Sequence, residues 1–399
     1  MTLIVDGEAG RSRPGEPARV GAATIHIGRV VGMLALLFCV SGGSLRAEGE
    51  EEHHGTATPP SSALGLAELH PKLSLHGFTD FVARVNRSDG NPSASETSFA
   101  LGELDLFFVS RLADNLSFSS EIVFESDEHG DFVVDVERMS LRYKVSDSFW
   151  IAVGRHHTAL GYWNEAYHHG LILQPTVERP EALKFEDNGG ILPVHTVGAA
   201  LGGRQFHGPW ALDYEANIGN GRGLTSEDVQ NASDSNDNKS LTLKLTFSRE
   251  RESRVLFGPM YHVDRIPAGP GTPDPVHDMD ERILGAHFAY RNERVEILAE
   301  YYHVHHEVQA TGVEFNHPTY YAIAIWRPSK LKPYGGFDRL DLDRADPFYA
   351  SVESAVSRAI VGLRWDVHPF TALKFEYRHN DRPGDNDGDE FLFQAAFTF

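Results

Sequence analysis

Histidine is the residue type in this chain that first invites chemistry. There are 21, with adjacent pairs at His156-His157 and His168-His169 and a third group at His303, His305 and His306. Imidazole is the commonest transition-metal ligand, and side chains at i and i+2 of a strand share a face, so His303 and His305 are placed to grip one ion. A divalent-metal channel built on paired histidines is one reading. No HExxH motif and no ligand spacing typical of a closed zinc site accompanies them, so polar histidines at a wet rim are the plainer reading. Ser, His and carboxylate side chains are plentiful, but no motif sets a nucleophile beside a base, and no enzymatic activity is expected. No motif requires a cofactor.

Charge is the second feature. The stretch 156–194, HHTALGYWNEAYHHGLILQPTVERPEALKFEDNGGILPV, is the longest without strand periodicity. A connection of that length with no strand of its own is usually functional. Folded into a pore, it would bring Tyr162 and Trp163 as packing. Arg155, Glu165, Glu178, Arg179, Lys184, Glu186 and Asp187 would bring charge to a constriction. Folded outward, it would be a lid packed on itself. The periodic segments add Glu121, Glu125, Asp213, Glu215 and Glu376, with Lys244, Arg364, Lys374 and Arg378 of opposite sign. Facing arcs of opposite sign orient polar solutes, whereas a ring of one sign selects ions. Arg364, Lys374 and Arg378 fall on neighbouring segments and predict a basic patch on one wall. The acidic surplus predicts a weak cation preference.

The elements that must position these groups are strands. In LSFSSEIVFE, Leu116, Phe118, Ile122 and Phe124 share one face, and Ser117, Ser119, Glu121 and Glu125 share the other. LTLKLTFS, WALDYEANI and TALKFEYRHN sort their charges the same way, which a helical period would not do. Sixteen strands are expected, within a range of 14 to 18, beginning near 73, 98, 116, 132, 149, 195, 210, 240, 255, 282, 295, 318, 331, 355, 371 and 390. A phase change at Val136–Arg138 predicts a bulge. Connections after even-numbered strands are short, and those after odd-numbered strands are mostly long and polar. That alternation suits a transmembrane up-and-down antiparallel β-barrel, not a sandwich. Sixteen strands close too wide for apolar side chains to fill, so the apolar faces belong against lipid. Bulky apolar residues on the inner face would instead mark a plugged structural or adhesin barrel, and Phe78, Phe107 and Ile360 are the hints of it.

Bulk properties agree. The chain has 399 residues, a net charge of -21 and a pI near 5.4, which disfavours a nucleic-acid partner. No apolar run reaches the roughly 18 residues of a membrane-spanning helix. Arg29, the run VVGMLALLFCV and the exit SGGSLRA predict a signal peptide over 1–47, holding the sole cysteine, Cys39. A flexible polar segment, 48–72, and a barrel over 73–399 with the long loop 156–194 are expected to follow.

The chain ends FLFQAAFTF, with Phe391, Phe393, Phe397 and Phe399 on one face. This terminal strand, the signal peptide and the alternation of short turns with long loops resemble the bacterial outer-membrane porin superfamily. IGNGRG (218–223) and KPYGGFD (332–338) are weakly similar to its phosphate-selective type. The resemblance implies a sixteen-stranded pore for small ions or polar solutes in outer-membrane lipid, with a homotrimer as one assembly it allows. It also implies that the terminal aromatic strand is read by the barrel-assembly machinery and that both barrel ends of the chain lie in the periplasm.

Overall fold

The computed structural model describes residues 72–88, 91–126, 130–168, 170–228, 232–250, 254–269, 277–352, 355–383 and 387–399. The expected signal peptide and almost all of the polar segment after it lie outside these residues. The first eight strands are β1 (Lys72–Ser88), β2 (Asn91–Ala113), β3 (Leu116–Ser126), β4 (Phe132–Ser146), β5 (Phe149–His157), β6 (His195–His207), β7 (Trp210–Gly219) and β8 (Ser240–Glu250). The others are β9 (Arg254–Ile266), β10 (Met279–Arg291), β11 (Val295–Val308), β12 (Glu314–Trp326), β13 (Leu331–Leu340), β14 (Val356–His368), β15 (Thr371–Asp381) and β16 (Gly388–Thr398). Each strand pairs antiparallel with its neighbours in sequence, and β1 closes on β16.

Closure leaves no row of unpaired backbone groups, which is what allows strands to cross a bilayer. Phe399 finishes the seam by exchanging two 2.9 Å backbone hydrogen bonds with Gly77. A Cβ at Gly77 would stand 2.2 Å from the Phe399 ring, so the terminal aromatic needs a glycine opposite it. No described helix is long and apolar enough to cross a membrane.

The expected phase change is a bulge: Glu121 pairs with Arg138 and Ile122 with Val136, so Glu137 is the extra residue. The departure from expectation is the first hairpin. A loop was expected over 87–97, but β2 begins at Asn91, with Arg87 opposite Ser95 and Ser88 opposite Asn91. Backbone pairing needs no apolar face once a neighbour is in place, and β16 runs alongside to Gly388, opposite Ser88.

Alternation sorts the side chains as the period required. Phe391, Phe397 and Phe399 are exposed and Phe393 half-buried, while Leu392, Gln394 and Ala396 between them are buried. On the outer surface Phe393 packs on Phe375 at 5.0 Å and Phe391 on Tyr377 at 5.1 Å. Trp210, Trp326 and Trp365 are exposed beside the short turns, as in the aromatic girdles of membrane barrels.

The inner face is less polar than expected on one side. Besides Ile360, the inward side chains Leu256, Met260, Ile283, Leu298, Tyr302, Val304, Phe315, Tyr321, Ile323 and Ile325 join one buried apolar cluster. Its other members include Leu160, Trp163, Leu183, Ile191 and Leu192, from the long connection between β5 and β6. The three inward apolar residues singled out in the sequence thus understate the inner apolar surface. β12 explains why: Phe315, His317, Tyr321, Ile323 and Ile325 lie on one face and Tyr320, Ala322, Ala324 and Trp326 on the other. Alternation cannot say which of two apolar faces is inside.

Candidate functional site

The connection 158–194 folds into the barrel, where it carries the helix α1 (Trp163–Ala166) and two short 3-10 turns. Its docking is dictated by backbone groups that leave strand pairing and must find partners. Glu300 of β11 accepts the N–H of Trp163 at 2.8 Å and that of Tyr162 at 2.5 Å, at the start of α1. Gly161 makes room for this approach, because its φ is +81° and a Cβ there would sit 2.6 Å from Glu300 Oε2. Trp163 is fully buried, with its ring 5.0 Å from Tyr167 and 5.5 Å from Tyr321.

Further along, the loop crosses the wall formed by β13–β16 and β1. Lys374 Nζ donates to the carbonyls of Leu171 at 2.6 Å and Thr176 at 2.7 Å. Glu376 accepts the Val177 N–H at 3.0 Å, and Arg364 donates to the Gln174 carbonyl at 2.8 Å. Glu178 pairs with Arg84 and Arg378, and Glu181 with Arg358 at 2.7 Å. Burial alone would raise the Glu178 carboxyl, but Arg378, Lys184 and Arg84 outweigh it and hold it well below the usual carboxylate range. The basic patch expected from Arg364, Lys374 and Arg378 therefore exists and faces inward, but the loop covers it. These cations hold the loop down, because three carbonyls and a carboxylate of the loop meet them, and of the three Arg364 also lines a cavity at the short-turn end.

The rest of the loop is tied to its own ends. Arg179 stacks over Phe185 at 4.0 Å and donates to the Leu183 carbonyl at 3.2 Å. Burial pushes its guanidinium down to about 10, against the opposing pull of Glu103 and Glu137. Glu186 accepts the Val194 N–H at 3.1 Å, Lys184 pairs with Glu181 at 3.0 Å, and Arg155 is buried within electrostatic reach of Glu137 and Glu186. The Asp187 side chain lies outside the described residues.

What the loop leaves uncovered is the opposite wall. A cavity of about 640 Å³ runs along β3 to β10. Arg138, Arg142, Arg204, Lys244 and Arg254 line it together with Asp147, Glu165, Asp213 and Glu215. Lys244 pairs with Glu165 of the loop, Arg204 lies 3.6 Å from Asp213, and Arg138 lies 3.3 Å from Glu121. Glu125, one strand pair further towards the long loops, is half-buried. A second cavity of about 600 Å³ opens at the short-turn end, and Tyr162 borders both. A third, of about 960 Å³, lies at the long-loop end beside Glu178, Glu181 and Lys184. The lumen is thus divided by the loop into vestibules lined by charges of both signs.

The histidines separate into three environments. His303 and His305 face outward, both against Asn316 Oδ1, so the i, i+2 pair expected to grip an ion in a pore does not reach the lumen. Strand phase decides this, since Tyr302, Val304 and His306 are the buried residues of that stretch. His306 instead bonds Asp346 at 2.6 Å and Glu281 at 3.0 Å, and His317 bonds Asp346 at 2.8 Å. Arg222, from the IGNGRG segment, adds Nε contacts of 3.0 and 2.9 Å to Glu281. This buried network binds two loops to the wall through Asp346 and Arg222, Arg222 also donates to the Ile191 carbonyl of the inserted loop at 2.5 Å, and the spacing of its members along the chain gave no sign of it. His156 lines the cavity of about 640 Å³, and His157 and His168 gather with His195 at the root of the loop. His169 lies outside the described residues.

A closed sixteen-stranded antiparallel barrel, apolar outside and narrowed by the loop inserted after β5, has the architecture of porin-type barrels. Solved structures agree on that fold. An anion-selective porin from Comamonas acidovorans is 10% identical, with TM-score 0.56 over 83% of this chain and 100% of that one. OmpF of Salmonella typhi, in complex with daunomycin, is 13% identical, with TM-score 0.55 over 82% and 98%. In-vitro folded OmpT of Vibrio cholerae, in its trimer form, is 11% identical, with TM-score 0.53 over 82% and 99%. No protein-family model and no curated protein matches the sequence.

Proposed function

We propose that this chain is an outer-membrane porin, a water-filled channel for passive diffusion of small ions or polar solutes. The observation that carries this reading is the charged cavity of about 640 Å³ left between the loop and β3–β10. Its cations and anions are interspersed and paired, which favours weak charge preference over strict selection. The chain enters the envelope behind a signal peptide over 1–47, and 48–72 trails in the periplasm with the short turns. The outward aromatic face of β16 serves the barrel-assembly machinery, and bilayer lipid surrounds the barrel. The trimer form of one structural neighbour supports a homotrimer.

Single-channel current in a planar bilayer under a KCl gradient tests the reading. Stepwise conductance with a small reversal potential is expected. The apolar contact between the loop and β9–β14 supports one rival, a plugged structural barrel. A correctly folded protein that conducts nothing would establish that rival in place of the channel.

A further inference from the structure

We propose that His157, His168, His195 and Glu137 form a zinc site that clasps the inserted loop at its two ends. His157 ends β5 and His195 begins β6, so they are the two roots of the loop, while His168 lies within it just beyond α1. Glu137 is the extra residue of the β4 bulge, turned inward and buried. Donor nitrogens of the three histidines all lie within 4.8 Å of one another. His168 Nε2 is 2.7 Å from His195 Nε2 and 3.9 Å from Glu137 Oε2, and His195 Nε2 meets the same carboxylate oxygen. Around a tetrahedral zinc ion with bonds of about 2.0–2.1 Å, neighbouring donors stand about 3.3 Å apart. The observed separations bracket that value.

The hydrogen bonds around His168 identify its tautomer. Asn164 Nδ2 donates to the carbonyls of Thr158 at 3.0 Å and Val194 at 3.1 Å, which orients the amide. Asn164 Oδ1 must then accept from His168 Nδ1–H, at 2.8 Å. With the proton on Nδ1, the Nε2 lone pair points at His195 and Glu137. Metal-ligating histidines are oriented in this way, by a partner on the far ring nitrogen. Three imidazoles and one carboxylate suit zinc among the common divalent ions. Arg138 stands 2.8 Å from His157 Nε2, but Glu121 faces it at 3.3 Å. Arg155 and Arg179 lie within reach of Glu137, with Glu186 beside both. Glu137 is thus one of several carboxylates that these two guanidinium groups face, and a zinc ion would share it with them.

The site is independent of conduction, and its test does not use current. The full chain, folded in detergent, is stripped with chelator and dialysed against zinc sulfate alone. One zinc per barrel is expected to survive gel filtration, and cobalt in its place should show the visible bands of a four-coordinate site. His168→Ala and His195→Ala should each lower zinc affinity by about 100-fold or more, and Asn164→Ala by about 10- to 100-fold. His305→Ala should change nothing, although His305, Glu307 and Glu314 form an exposed group that could hold an ion. No retained zinc, or zinc lost in His305→Ala and kept in His168→Ala and His195→Ala, would overturn the proposal. Should those loop variants fail to fold, X-ray absorption on the zinc-loaded wild type decides. A nitrogen-rich shell at about 2.0–2.1 Å supports the clasp, and a shell of oxygens alone refutes it.

Discussion

Replacing Lys374 by methionine should free the segment 171–177 from the wall while leaving the barrel closed. Lys374 is fully buried, and its ammonium holds the carbonyls of Leu171 and Thr176 at 2.6 and 2.7 Å. A hydrogen bond to a charged group contributes about 1.5–3 kcal/mol net, so losing two removes at least about 3 kcal/mol of docking. Methionine matches the length of the lysine stem, so little packing is lost and no large cavity appears. At 1.4 kcal/mol per factor of ten, the undocked population of this segment rises by about 100-fold. Amide exchange reads that population directly, because it reports local opening. The Leu173 N–H, bonded to the Gly170 carbonyl at 2.7 Å, and the Val177 N–H, bonded to Glu376, are the probes. Both should exchange about 100-fold faster in the variant, while amides of β9–β12 keep their protection. Unchanged exchange at 171–177 in a folded variant would refute the argument that the wall's buried cations hold the loop.

Four further outcomes follow from the same geometry. Glu300→Leu strands the N–H groups of Tyr162 and Trp163, each at a cost of about 1–3 kcal/mol, and should make 158–168 the first site of protease cleavage in the folded barrel. Glu178 and Asp346 both have carboxyls held below their usual range, burial opposing and Arg378 or His306 and His317 prevailing. Their contribution is complete above the unfolded value of about 4 and is lost as pH falls through the folded one, so exchange of the loops they hold should accelerate below about pH 4. Phe393→Arg, on the outer face midway along β16, should destabilise the barrel in lipid vesicles by about 2–4 kcal/mol, read from denaturant unfolding. Lys244→Glu breaks the contact with Glu165 and reverses one charge in the open cavity, so the reversal potential in a KCl gradient should move towards cation preference.

The strands were legible because each is a short local pattern. Leu241, Leu243, Leu245 and Phe247 point out and Thr242, Lys244 and Thr246 point in, and any neighbour would leave that division intact. The bulge at Glu137 was legible as a break in phase. The histidines were not legible. Their separation along the chain predicted a shared face for His303 and His305, correctly, but nothing local says that this face meets lipid-side neighbours and that His306 points inward. Glu281, His306, His317, Asp346 and Arg222 come from separate elements, so no spacing rule could have joined them.

The sequence by itself determined the closed sixteen-stranded barrel, its aromatic terminal strand and the third long loop, because side-chain alternation and turn composition act over a few residues. The tertiary structure alone decided what that loop does. Lys374 and Arg378 become anchors instead of pore lining, and Arg364 anchors the loop while still lining the short-turn cavity, since a buried cation requires acceptors and the loop's carbonyls and Glu178 lie within reach only once the barrel has closed. The lumen that remains is the space the loop leaves along β3–β10 and at its two ends.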